Sequence, residues 1–203
     1  MVNEFLWWRL AVVRIGFIVE GFTEKILIES ARFKQWANNH DIDICPSVIN
    51  AEGGDNLLPH HIKPMVELLQ LESPDYIVIL TDLEHDSHPQ IVKDRIANKH
   101  TKLIFVAVKA IEAWFLADSE ALSFWLKTQV YEEYPEETTG MPWDRLGELA
   151  RELGQRGTGA RKQKFAERMT QYYGFQLERA ANHPNCPSAK AFHDGLIELV
   201  NAK

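Results

Sequence analysis

Cysteine is scarce: the 203-residue chain has two, Cys45 and Cys186, far apart and outside any CxxC spacing. That excludes a disulfide framework and a zinc ribbon, and a reducing cytoplasm is the expected compartment. Basic charge is also in deficit. Lys and Arg number 22 against 29 Asp and Glu, for a formal net charge of −7, which argues against a generally basic surface that coats nucleic acid. A local basic stripe could still hold phosphates. No uninterrupted apolar run is long enough to span a bilayer. The most apolar stretch, "MVNEFLWWRLAVVRIGFIV" at the start, is broken by Arg9 and Arg14 and has no small-residue cleavage site, so it reads as neither signal peptide nor membrane span. There is no GK[ST] after a glycine-rich loop, no HExxH, no internal repeat and no heptad run.

What is present is an alternation of short apolar runs and amphipathic stretches. Arg14 to Val19 is a β-branched run ending at Glu20-Gly21, and Thr23 to Asn38 follows with helical spacing. Ile42 to Ile49 is a second strand ending at "NAEGGDN", and Leu57 to Leu71 is again helical in pattern. "DYIVIL", Asp75 to Leu80, is a third strand, Gln90 to Asn98 a helix, and "KLIFVAV" a fourth strand. This order predicts an α/β fold, a parallel sheet of about four strands covered on both faces by helices. After Ala110 the strand pattern stops. "AIEAWFLADSEALSFWL" reads as helix with a break at Ala117-Asp118, and 143–153, 162–173, 176–181 and 188–200 are further helices. The expected organisation is a leader at 1–13, an α/β domain at 14–118 and a helical extension at 119–203 packed on the sheet domain.

In an open parallel sheet, ligands bind outside the carboxyl ends of the strands, where strands hand over to loops and helix N-termini. Glu20 ends the first strand, "GGDN" with Asp55 follows the second, and Asp82, Glu84 and Asp86 end or follow the third. Crowded carboxylates repel unless a cation neutralises them, and an oxygen-only set suits Mg²⁺ or Mn²⁺. Asp82 and Glu84 are two apart, so on extended backbone both point to the same side. Glu24, Asp55 and Asp86 have equally simple structural readings as a helix-dipole partner, a cap and an exposed loop charge.

"VEGFTE" followed, after two βα units, by "ILTDLEHD" resembles the Toprim domain of topoisomerases, bacterial primases and OLD-family nucleases. "IGFIVEGFTE", "AIEAWFLAD" and "CPSAKAF" are more closely similar to a bacterial Toprim-like family long labelled a domain of unknown function. The nuclease subunit of the PARIS anti-phage system belongs to that family. The likeness spans roughly Arg14 to Leu199. It implies a Toprim/Rossmann-like sheet with Glu20 as general acid/base, and with Asp82 and Glu84, assisted by Asp86, as ligands of Mg²⁺ or Mn²⁺. It also marks Glu112, which from the residues alone is an ordinary helix-start glutamate, and it leaves Glu24 of "VEGFTE" among the catalytic candidates. One departure stands out: the second acidic position of the family's DxD is a glutamate here.

"RGTGARKQKFAER" gathers Arg156, Arg161, Lys162, Lys164 and Arg168 in an otherwise acidic chain, either as a solvated helix face or as a clamp on nucleic-acid phosphates. His60, His61, His85 and His88 flank the acidic loops and read as loop residues or proton shuttles. The resemblance implies a metal-dependent nuclease cleaving RNA or DNA in bacterial defence, kept quiet by a partner ATPase or awaiting an activating trigger, with a homo-oligomer as the other expected assembly. A reading from another class is a non-catalytic Toprim-like subunit that binds nucleic acid or a partner. A weaker one is a phosphotransferase or phosphatase acting on nucleotides.

Overall fold

The computed structural model describes residues 12–202. Of the leader expected at 1–13, residues 1–11 lie outside that range, and Val13 already belongs to the first strand. Four strands, β1 (Val13–Val19), β2 (Ile42–Asn50), β3 (Tyr76–Asp82) and β4 (Leu103–Ala107), form one sheet in the order β2-β1-β3-β4, with every pairing parallel. β1 lies inside the sheet and its apolar run is buried on both faces, as a central parallel strand requires. Pro46, which has no N–H for a ladder, sits where the β1–β2 register shifts between Ile15 and Phe17, on an edge strand that tolerates it.

Helices cover both faces. On one side lie α3 (Lys63–Gln70) and α4 (Pro89–Ile96), packing Val66, Leu69, Val92 and Ile96 against Ile18, Ile77, Ile79 and Val106. On the other lie α1 (Phe22–Glu29) and α2 (Ala31–Asn39) with the C-terminal helices: α5 (Glu112–Ala117), α6 (Ser119–Leu126), α7 (Pro142–Glu152), α8 (Lys162–Gln171), α9 (Leu177–Ala181) and α10 (Pro187–Asn201). Residues after 118 share the core of the sheet: the Phe192 ring of α10 lies against Phe17, Phe33, Phe105 and Trp114. Burying rings of this size stabilises the fold by about 1.5–3 kcal/mol each.

Two helices differ from the pattern expected of the sequence. The single helix over Thr23–Asn38 is split at Ser30, whose backbone is extended and whose hydroxyl accepts the Phe33 N–H at 3.2 Å, capping α2. The helix expected over Leu57–Leu71 begins only at Lys63, after a 3₁₀ turn at Gly54–Leu57, because Leu58 precedes Pro59 and is held extended. The break at Asp118 occurs as expected. Its buried carboxylate accepts the Ala121 N–H at 3.1 Å and takes a two-point ion pair from Arg179, 2.8 and 2.9 Å, tying α6 to α9.

Candidate active site

Glu20 follows β1 directly, and its position is set by neighbouring strands. Its N–H donates to Leu80 O at 3.0 Å, and its carbonyl accepts Gly53 N–H at 3.0 Å. One carboxylate oxygen accepts both the Thr81 hydroxyl and the Asp82 N–H, the latter at 3.1 Å. The "GGDN" loop turns through Gly53, at φ 127°, where a side chain would be strained. A Cβ on Gly54 would lie in ordinary contact with Glu20 Oε1, 3.4 Å away, so the loop passes directly beside the carboxylate. Glu20, Gly53, Gly54, Asp55, Asp82, Glu84, His85 and Asp86 together line a cleft of about 810 Å³ at the carboxyl ends of the strands.

Behind Asp82, away from solvent, stand two further carboxylates. Glu24 on the first turn of α1 is 3 % exposed and Glu112 at the start of α5 is 1 % exposed. Burial pushes the Glu24 carboxyl up to about 7, aided by the charges of Glu112 and Glu20 and opposed by hydrogen bonds from its own amide and from the Asp82 carboxyl. Asp82 is held well above the ordinary carboxylate range, first by burial and then by Glu24, Glu112 and Glu20 in that order, although Oδ1 accepts Ile111 N–H at 2.9 Å. Glu112 Oε1 meets Lys162 Nζ at 3.3 Å, while Oε2 is buried with no hydrogen-bond partner.

The carboxylates that crowd Asp82 are therefore Glu20, Glu24 and Glu112. Glu84 is not among the largest influences on it. The expected Asp82/Glu84 pair on one side of an extended strand does not form, because β3 ends at Asp82. Glu84 is exposed in a left-handed turn at φ 50°, its N–H bonded to Lys109 O at 2.7 Å. Asp86 lines the same cleft but pairs with Arg95 at 2.8 Å. His88 caps α4 by accepting Gln90 N–H at 3.1 Å, and His61 Nδ1 lies 2.9 Å from Asp55 O. Among the described residues no set of three or more His, Cys, Asp or Glu side chains is already arranged to hold a metal ion.

The basic segment is brought together in part. Arg156, Arg161, Lys164 and Arg168 line a concavity of about 310 Å³ before and along the first turns of α8. Lys164 is paired with Glu167 at 2.7 Å, and Arg168 donates to the carbonyls of Lys164 and Thr158. Lys162 leaves this group and turns inward to Glu112.

One polar brace had no local signal in the sequence. Buried Glu136 accepts Ser188 Oγ–H at 2.6 Å and Ser188 N–H at 2.9 Å, and that same Oγ accepts Trp114 Nε1–H at 2.8 Å. It ties the loop before α7 to α10 and to α5, the helix that carries Glu112.

No family model, curated protein or solved structure compared with the chain matches it.

Proposed function

We propose that the cleft at the carboxyl ends of β1 and β3 is a divalent-cation-dependent phosphodiester hydrolase site acting on RNA or DNA, of Toprim type. The observation that carries this reading is the buried Glu112 Oε2, an acceptor with no partner, standing behind Asp82 with Glu24 and Glu20. A negatively charged oxygen in that position is costly unless a cation or a proton compensates it. The donor set is all oxygen, which fits Mg²⁺ or Mn²⁺. Asp82, Glu112 and Glu24 would hold the ion. When bound, it supplies neutralisation of these carboxylates and polarisation of a phosphoryl oxygen.

The protein's own groups supply the rest. Glu20 opens onto the cleft and is fixed by the Thr81 hydroxyl and the Asp82 amide, which supports a role in taking a proton from an attacking water. Arg156 and Arg161 at the concavity by α8 would take backbone phosphates of the polymer. The sequence resemblance extends the proposal to a cytoplasmic role in anti-phage defence beside a partner ATPase or a second copy of the chain. No helix among the described residues is long and apolar enough to cross a membrane.

A second reading, a non-catalytic subunit binding nucleic acid or a partner, draws support from Lys162, which already compensates Glu112 without any divalent ion. One incubation separates the two. Purified protein is mixed with tRNA, plasmid and single-stranded DNA in Mg²⁺, Mn²⁺ or chelator. Cleavage that requires the divalent ion is expected; binding without cleavage in every condition favours the subunit.

A further inference from the structure

Glu112 and Lys162 form an asymmetric pair: the carboxylate side chain is 2 % exposed and the lysine side chain 47 % exposed. The ammonium also lies 5.9 Å from the centroid of the Trp143 ring, a second favourable station for a cation. Lys162 opens α8, and α8 packs against α1, the helix that carries Glu24. Among the described residues no other lysine or arginine is ion-paired with Glu20, Glu24, Asp82 or Glu112. A single flexible side chain, half in solvent, thus neutralises a buried acidic group from outside.

We propose that Lys162 is a resident counter-cation that competes with the divalent ion for Glu112, so that loading the ion releases Lys162 outward toward the phosphates of the substrate. This rests on reading the cleft as a divalent-cation site. Lysine suits the role because its ammonium is a compact charge on a four-carbon stem that can swing without disturbing its backbone. Glu112 suits it because a carboxylate buried this deeply stays charged only with a positive partner beside it. Lys162 lies in sequence between Arg161 and Lys164, both of which line the basic concavity, so a side chain released from Glu112 has phosphate-binding neighbours on either side. Linkage then makes a phosphate polymer that draws Lys162 away raise the affinity for the ion, and the ion raise the affinity for the polymer by the same factor.

The test uses the full chain with Lys162→Met, which keeps an unbranched stem and removes the charge, beside Lys162→Arg, which keeps the charge. Mn²⁺ and Mg²⁺ are titrated calorimetrically into each protein without substrate. Lys162→Met is expected to bind the ion about fivefold or more tightly than the parent, with Lys162→Arg close to the parent. In chelator the Met variant is expected to melt below the parent and to gain more on adding Mn²⁺. If it does not fold in chelator, Lys162→Gln, polar, uncharged and one atom shorter, makes the same comparison. Equal or weaker ion affinity in the uncharged variants, with the parent still binding the ion, overturns the competition and leaves the site reading intact. Absence of ion binding in every protein overturns both.

Discussion

The amide of Asp82 donates to the carboxylate of Glu20 at 3.1 Å, so the last residue of β3 holds the first residue beyond β1. The Thr81 hydroxyl reaches the same oxygen. These two bonds orient the carboxylate without occupying its other oxygen, which faces Gly54. Glu20→Gln is nearly isosteric, so it is expected to keep the melting temperature and lower single-turnover cleavage by about a hundredfold or more. Thr81→Val removes only an orienting bond and is expected to reduce cleavage by about tenfold. A folded, fully active Glu20→Gln protein rules out Glu20 as the proton-transfer group.

Asp82 and Glu84 differ in kind. Asp82 feels three carboxylates, whereas Glu84 is an exposed turn residue. Asp82→Asn is expected to abolish Mg²⁺ binding measured by calorimetry and to raise the melting temperature in chelator, since mutual repulsion is relieved. Glu84→Gln is expected to leave ion affinity within about twofold, as for an exposed charge. Equal losses in the two variants would place Glu84 on the ion.

The sheet was legible because β1 to β4 are short runs rich in Ile and Val separated by stretches of helical pattern, and a parallel sheet buries its inner strands on both faces. Glu20 and Asp82 were legible because each ends a strand. The alignment of Glu84 with Asp82 did not follow from their spacing, because a two-residue spacing says which side a side chain takes only while the strand continues, and β3 stops at Asp82, although both residues line the one cleft. Glu112 carried no local sign of its burial: the helix start that holds it is ordinary, and the family likeness alone marked it. The pairings Lys162–Glu112 and Arg179–Asp118 join residues about fifty or more apart in sequence, a relationship that periodicity does not encode.

Glu24 gives the site a pH signature in the absence of divalent ions. Its folded value is raised from 4.5 to about 7, so its contribution to stability is fully present below 4.5 and is lost as pH rises through 7. In chelator the melting temperature is expected to fall between pH 5 and 8, and Glu24→Gln is expected to flatten that slope. A slope of the same size in Glu24→Gln would assign the loss to another group.

Gly195 is where α10 crosses β4. A Cβ there would stand 2.7 Å from the Phe105 ring, which is itself wedged against Phe192. Gly195→Ala is expected to push α10 off the sheet and destabilise the protein by about 1–3 kcal/mol in urea unfolding. An unchanged midpoint would mean that Phe105 swings aside without loss.

In the basic concavity Arg168 is held by the carbonyls of Lys164 and Thr158 and Lys164 by Glu167, and outside it Lys162 is held by Glu112; among the described residues no ion pair or side-chain hydrogen bond engages Arg156 or Arg161. They are free to neutralise backbone phosphates, and each phosphate neutralised releases counterions and steepens the dependence of binding on salt. Arg156→Glu with Arg161→Glu is therefore expected to weaken binding of single-stranded oligonucleotides at low salt by about tenfold or more and to flatten the plot of log affinity against log salt by about one to two. Mn²⁺ affinity is expected to stay at the parent value, because neither side chain is paired with the four carboxylates. The contrast with Lys162→Met is the informative part: that variant is expected to change ion affinity in the absence of any polymer. Fluorescence anisotropy across a salt series, run beside calorimetry on the same preparations, separates the two sets. An unaltered salt slope in the double variant would assign the segment to a solvated helix face.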